Sequence, residues 1–198
     1  MNAFTLWEAG APPSKQAVVT AALELFVAQG YEATTIRQIA ERAGYTNPAL
    51  FKFFESKEAL GLYVFERAWL QLLQALGPHF ADDGGVEEVA RRWVEAFFSG
   101  VLREGLPAFL FVHEHLAHFW PRAEGRLPEE SLFSLMRGWL RRARRRGDVS
   151  RTVPVEVQMA AVSGFFHQLA RMVFLGQARA ADPALRKGAV EVLVRVLS

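Results

Sequence analysis

Two clusters in the sequence carry side chains capable of chemistry. Residues 137–151 hold seven arginines and one aspartate, a balance of +6. Such a run attracts anions, and charge alone would place a nucleic-acid site there. The same run closes a predicted helix, 129–146, where cations complement the dipole and bond the exposed carbonyls. A solvated helix end is therefore the preferred reading, with an anionic ligand or partner as the remaining one. The second cluster, His113, Glu114, His115 and His118, has the donor types of a metal site. On a continuous helix with His113 as origin, Glu114 lies at about 100°, His118 at about 140° and His115 at about 200°. The three histidines do not converge. Glu114, His115 and His118 could share a surface site, but no fourth ligand is in view. His113 shares the apolar stripe of Phe109, Val112, Leu116 and Phe119. A core histidine is favoured there over a ligand-orienting group, and a metal ligand comes last.

Composition removes other chemistries. The chain has no cysteine, which excludes thiolate nucleophiles, disulfides and Cys-ligated metals. No Gly-rich phosphate loop, nucleophile–base pair or complete metal set is present, so an enzyme is not expected and no cofactor is implied. With 198 residues, 51% hydrophobic and 22% charged, the chain can bury a sizeable core as one large or two small domains. The longest stretches free of Asp, Glu, Lys and Arg, 68–81 and 157–170, are 14 residues each, too short to span a bilayer. No basic segment precedes an apolar run at the N-terminus, so a cytoplasmic protein is expected. The net charge is only +2, and residues 1–57 hold five cations against five anions.

The elements that must position these groups are helical throughout. Apolar positions recur with the 3.6 period and almost nowhere alternate, which predicts an all-α chain of about nine helices. Residues 1–13, with Ala11-Pro12-Pro13, read as a flexible arm. Helices are expected over 14–28, 36–43, 46–54, 57–76, 86–103, 107–120, 129–146, 154–175 and 183–197. Thr35 and Gln38 form a capping box, Gly44 supplies a stop, and Pro48 falls in a first turn where a missing N–H costs nothing. Asp82-Asp83-Gly84-Gly85 and residues 121–128 read as loops. The last helix is apolar nearly all round, from Ala189 through Val192 and Val196 to Leu197. That pattern predicts packing against a second subunit.

The two short helices around Gly44 suggest a helix-turn-helix. The surrounding string is more specific: Ala22-Leu-Glu-Leu-Phe26, Gly30-Tyr31, Thr34-Thr35-Ile-Arg-Gln-Ile39-Ala40, Ala43-Gly44, Leu50-Phe51-Lys52-Phe53-Phe54 and Ser56-Lys57-Glu58-Ala59-Leu60. In this order it resembles the N-terminal signature of the TetR family of bacterial transcriptional repressors, over about 15–60. The resemblance implies a three-helix DNA-binding domain at 14–56 and a helical ligand-binding and dimerisation domain at 57–198. It implies a homodimer on a pseudo-palindromic double-stranded DNA operator, released by a small-molecule effector, and the apolar last helix places the pairing at the last two helices. Carried over position by position, Thr35 and Thr46 cap helices near phosphate, Arg37, Asn47, Ala49 and Lys52 reach base edges, and Lys57 anchors a phosphate. Pro48 stands where Gly is common, and Phe51 where Tyr is common, which removes a hydroxyl from the motif. The plainer reading of each is a surface residue or cap, and Phe53 reads as core.

Outside the motif, aromatics dominate. Most of Phe65, Trp69, Trp93, Phe97, Phe109, Phe133, Trp139, Phe165 and Phe166 read as core. Trp69, Trp93, Phe97, Phe109, His113 and Phe165 are the candidates for lining an effector site, which favours an apolar or aromatic effector. The alternatives are a helix-turn-helix protein controlled by a protein partner, or one sensing a metal through Glu114, His115 and His118.

Overall fold

The computed structural model describes residues 4–81 and 84–198. Asp82 and Asp83 of the expected loop, and the first three residues of the expected arm, lie outside the described residues. Every described element is helical: α1 (Pro13–Gln29), α2 (Ile36–Ala43), α3 (Asn47–Phe51), α4 (Lys57–Leu76), a 3-10 turn (Gly77–Phe80), α5 (Val86–Ala96), a π-helix (Phe97–Gly105), α6 (Leu106–Glu114), α7 (Leu116–Ala123), α8 (Leu132–Arg146), α9 (Val155–Phe174) and α10 (Pro183–Leu197). No described helix is long and apolar enough to cross a membrane.

The chain divides into two compact units, one of Met1–Gln71 with Pro107–Leu127, the other of Leu72–Leu106 with Pro128–Ser198. In the first, α1 packs on α2 and α2 on α3. Val18, Val19, Ala22 and Phe26 of α1 are buried, as are Ile39, Ala40 and Leu50. The Thr35–Gln38 capping box is formed in both directions. Gly44, at φ 78°, takes the left-handed conformation, and the Tyr45 N–H reaches back to the Ala40 carbonyl at 2.9 Å. These two devices fix where α2 begins and ends.

Several sequence expectations change. Residues 4–12 do not lie loose. Leu6 and Ala11 are buried, the Trp7 carbonyl accepts from Arg67 at 3.0 Å, and the Glu8 carboxylate accepts from both Lys15 and Tyr63. Those two donors hold the Glu8 carboxyl down at about 2. The expected helix 107–120 is broken at His115 (φ −113°, ψ 16°), which becomes the N-cap of α7. Helix continues through Pro121 to the buried Ala123, where a loop was expected; the proline forgoes one ladder bond. The expected helix 86–103 changes to π-helical winding at Phe97.

α4 approaches its neighbours closely at Gly61. A methyl there would sit 2.7 Å from Phe119 Cζ and 2.8 Å from Tyr31 Cε2. Both rings are buried and edge-on to each other at 5.2 Å, so neither can yield freely. Gly61→Ala should therefore cost about 1–3 kcal/mol in urea unfolding, although alanine is the better helix former. An unchanged or raised midpoint would show that the rings accommodate the methyl.

The second unit is built around Trp93 and Trp139, edge-on at 4.8 Å, with Phe80 4.8 Å from Trp93. The Trp93 indole N–H donates to the His79 carbonyl at 3.0 Å. α10 packs on α5 and α9, burying Ala189, Leu193 and Leu197. The Leu197 carbonyl accepts from Ser150 N–H at 2.7 Å and from the buried Gln158 amide at 3.4 Å, which pins the C-terminus.

Candidate nucleic-acid interface

α3 is anchored by Leu50, which is fully buried, and its next residue Phe51 is 49% exposed. Asn47, Pro48, Phe51 and Lys52 are all exposed and Ala49 is half-buried. The short helix therefore turns its outer side chains to solvent while one leucine holds it to the core. Thr46, its N-cap, makes no side-chain cap bond, and its hydroxyl is available to an outside group. Thr35 differs. Its hydroxyl accepts the Gln38 N–H at 3.2 Å and pairs with the Gln38 side chain at 3.0 Å, so it is engaged inside its own box. What Thr35 offers is a stable α2 N-terminus, whose unpaired N–H groups favour an anion.

The cations of this unit are mostly matched. Lys15 bonds Glu8 at 2.6 Å and Arg42 bonds Glu24 at 2.8 Å, while Arg37 reaches Glu41 at 2.8 Å on its own helix. Lys57 donates to the carbonyls of Tyr31 (3.0 Å) and Glu32 (3.3 Å) and lies 4.5 Å above the Tyr31 ring. An ammonium has three N–H donors, so this arrangement leaves one for an outside acceptor. Sequence reasoning assigned Tyr31 no role beyond the motif. It supports Lys57 on one side and meets His118 at 5.5 Å and Phe119 at 5.2 Å. Burial pushes its phenol up to about 12, so the ring stays neutral. Two more residues escaped the sequence reading. Tyr45 is 39% exposed beside Thr46. Glu41 partners Arg37, and its i, i+4 spacing was the available signal.

The histidines do not form the surface set that a continuous helix implied. With the break at His115, its ring turns toward Tyr31 at 5.8 Å and Phe111 at 4.9 Å, while Glu114 is exposed. Burial lowers the His115 pKa, favouring neutral imidazole. No group of three His, Asp or Glu side chains suited to a metal occurs among the described residues. His113 is half-buried with its ring 4.3 Å from Phe109.

Four arginines of the run bond their own surroundings, while Arg137, Arg141 and Arg145 are exposed. Arg142 donates to the Phe80 carbonyl (2.9 Å) and Arg144 to those of Val153 (2.8 Å) and Arg151 (2.6 Å). Arg151 donates to the carbonyls of Arg144 and Arg145, and Arg146 pairs with Asp148 at 2.6 Å. These bonds staple the turn after α8 to the helix end.

Of the aromatic candidates, Trp69 and Phe109 are buried in the first unit; Trp93 and Phe97 are buried and Phe165 half-buried in the second. Within the second unit, Phe166 links Phe97 (4.5 Å) to Phe165 (5.6 Å).

A family model described as bacterial regulatory proteins, tetR family, matches residues 18–64. The chain is 37% identical over 84 residues to the HTH-type transcriptional regulator RutR of Escherichia coli (strain K12), covering 41% of this chain and 40% of that protein. The match thus spans about two fifths of the relative. The solved structure of the MbdR regulator from Azoarcus sp. CIB is similar over 93% of this chain and 99% of its own, with a TM-score of 0.75 at 17% identity. The regulator FadR from Bacillus subtilis, in complex with stearoyl-CoA, is similar over 93% and 100%, with a TM-score of 0.68 at 16% identity. At such identities these two show the shared fold.

Proposed function

We propose that the chain is, by its N-terminal helix-turn-helix, a member of the tetR family of bacterial regulatory proteins, and a repressor that binds a pseudo-palindromic operator as a homodimer and is released by a small apolar or aromatic effector. The observation that carries the DNA reading is the outer face of α2 and α3. There Arg37, Asn47, Pro48, Phe51 and Lys52 stand exposed on a scaffold fixed by the Thr35 box, Gly44 and Leu50. Arg37 supplies the paired donors that read guanine, and Asn47 the donor and acceptor that read adenine. Ala49 and Phe51 supply apolar contact to thymine methyls. Lys52 reaches a base edge beside them, and Thr35, Thr46 and Lys57 serve the phosphates. In this division of labour 14–56 is the DNA-binding domain, and 57–198 supplies the effector site and the dimer surface. Val157, Phe174, Leu175 and Val192 of the last two helices and their edge are exposed in the single chain, which supports pairing there.

Support for the effector class comes from the aromatic content of the second domain and from the nine-residue π-helix over Phe97–Gly105, a winding common at functional sites. FadR with stearoyl-CoA supports an acyl chain bearing an acidic moiety. Of the six candidates, we assign Trp93, Phe97 and Phe165, which belong to the second unit, to this site, while Trp69, Phe109 and His113 belong to the first. The test is to select bound duplexes from a random DNA pool and then add stearoyl-CoA, free fatty acids, aromatic acids or zinc separately. Release by an acyl or aromatic compound supports the reading. Release by zinc alone overturns the effector assignment.

The ion pairs also fix the salt response. With Lys15 and Arg42 engaged elsewhere, each protomer brings at most Arg37, Lys52 and Lys57 to the duplex. Six cations per dimer set a slope of log affinity against log salt no steeper than about −5. Replacing Arg144, Arg145 and Arg146 together by alanine should leave that slope unchanged. A steeper slope that falls in the triple variant would move the nucleic-acid site to α8.

A further inference from the structure

We propose that Glu41 is a positioning residue for base recognition, holding the Nε edge of Arg37 so that the outer Nη1/Nη2 edge of the guanidinium is presented to guanine. The inference rests on the reading of the α2–α3 face as the DNA-contacting surface. Arg37 Nε donates to Glu41 Oε1 at 2.8 Å, one helical turn along the same face. Both side chains are open to solvent, at 80% and 62% exposure. A guanidinium can grip two acceptors through its Nε/Nη edge or through its Nη1/Nη2 edge. Glu41 occupies the first, so the second is left to match the O6 and N7 of guanine. The other arginine of α2 shows the contrast. Arg42 closes its Nε/Nη2 edge on Glu24 of α1, at 3.1 and 2.8 Å, and is thereby tied to the protein. Arg37 is tied to its own helix and stays outward.

α2 does not depend on this pair for its ends, which the Thr35–Gln38 box and Gly44 already define. An anion on a DNA-contacting face repels phosphate, so Glu41 weakens general attraction while it orders Arg37. In water an exposed pair of this kind is weak. Against a bound duplex, water is excluded and the same pair strengthens. The arrangement exchanges general affinity for discrimination.

The experiment uses the full-length protein and duplexes selected from a random pool by the wild type, each altered in turn at the guanine that Arg37→Ala ceases to distinguish. Glu41→Ala should reduce discrimination at that base pair about two- to fivefold, the range an exposed ion pair supplies, and should tighten binding to unrelated duplex. Glu41→Gln keeps an oxygen for Nε–H and should retain most of the discrimination while binding unrelated duplex more tightly. In an Arg37→Ala background, Glu41→Ala should have no effect on discrimination. Unchanged or increased guanine preference in Glu41→Ala overturns the proposal, because Glu41 then acts as a plain surface anion or holds Arg37 back. Failure of the wild type to select any sequence would instead defeat the DNA-binding reading itself.

Discussion

Val192→Glu should convert the proposed homodimer to monomers and lower operator affinity by about 10²-fold or more, the advantage that linking two half-site contacts provides. Val192 lies on α10 and is 41% exposed in the single chain, while Leu193 and Leu197 on the same helix are fully buried. A carboxylate at 192 is therefore compatible with a folded protomer. It becomes costly only where a second subunit would strip it of water without a partner. Sedimentation reads the oligomeric state, and circular dichroism checks that helix content is kept. Val196 is a less clean site, because it is half-buried within its own chain. A Val192→Glu protein that remains dimeric would place the interface elsewhere.

Lys57→Ala weakens binding to every sequence alike, by about 1–3 kcal/mol per half-site, the worth of a charge-assisted bond, and makes the salt slope shallower by about 2 per dimer. The ammonium is already held by the carbonyls of Tyr31 and Glu32, so the bond to phosphate forms with little further ordering. Arg37→Ala and Asn47→Ala should behave differently. Each costs on the order of 1–3 kcal/mol at one base pair per half-site and leaves unrelated duplex nearly unaffected. Binding of selected and scrambled duplexes, followed by fluorescence anisotropy over a salt series, separates the two patterns. If Lys57→Ala changes the preferred sequence, Lys57 reads bases and the assignment is reversed.

The parts legible in the sequence are those governed by neighbours within one turn. The Thr35 box, the Gly44 stop, and the bounds of α4 and α10 follow from caps, glycine and proline acting locally. Contacts across long separations were not legible. Lys57 meets Tyr31 across 26 positions, and Trp7, Glu8, Tyr63 and Arg67 join an apparent arm to α4 across about 60. No spacing rule covers such pairs. The helical-wheel argument for Glu114, His115 and His118 assumed an unbroken helix, and the break at His115 removed its premise. The π-helix has no local composition that marks it, since Phe97–Gly105 keeps an ordinary apolar stripe. Glu41 was missed for a different reason. Its spacing from Arg37 is visible, but in a charge count it is one of five anions in residues 1–57 and has no partner.

In the proposed function, the exposed α2–α3 face of a two-fold dimer reads DNA. Hydroxyl-radical footprinting of the selected duplex tests it most directly. Two protected patches related by a dyad, with centres about one helical turn (~34–36 Å) or slightly more apart, are expected. Both should fade in Lys57→Ala and persist when Arg144, Arg145 and Arg146 are replaced by alanine. A single patch without a dyad, or protection lost in the triple arginine variant, would contradict the account.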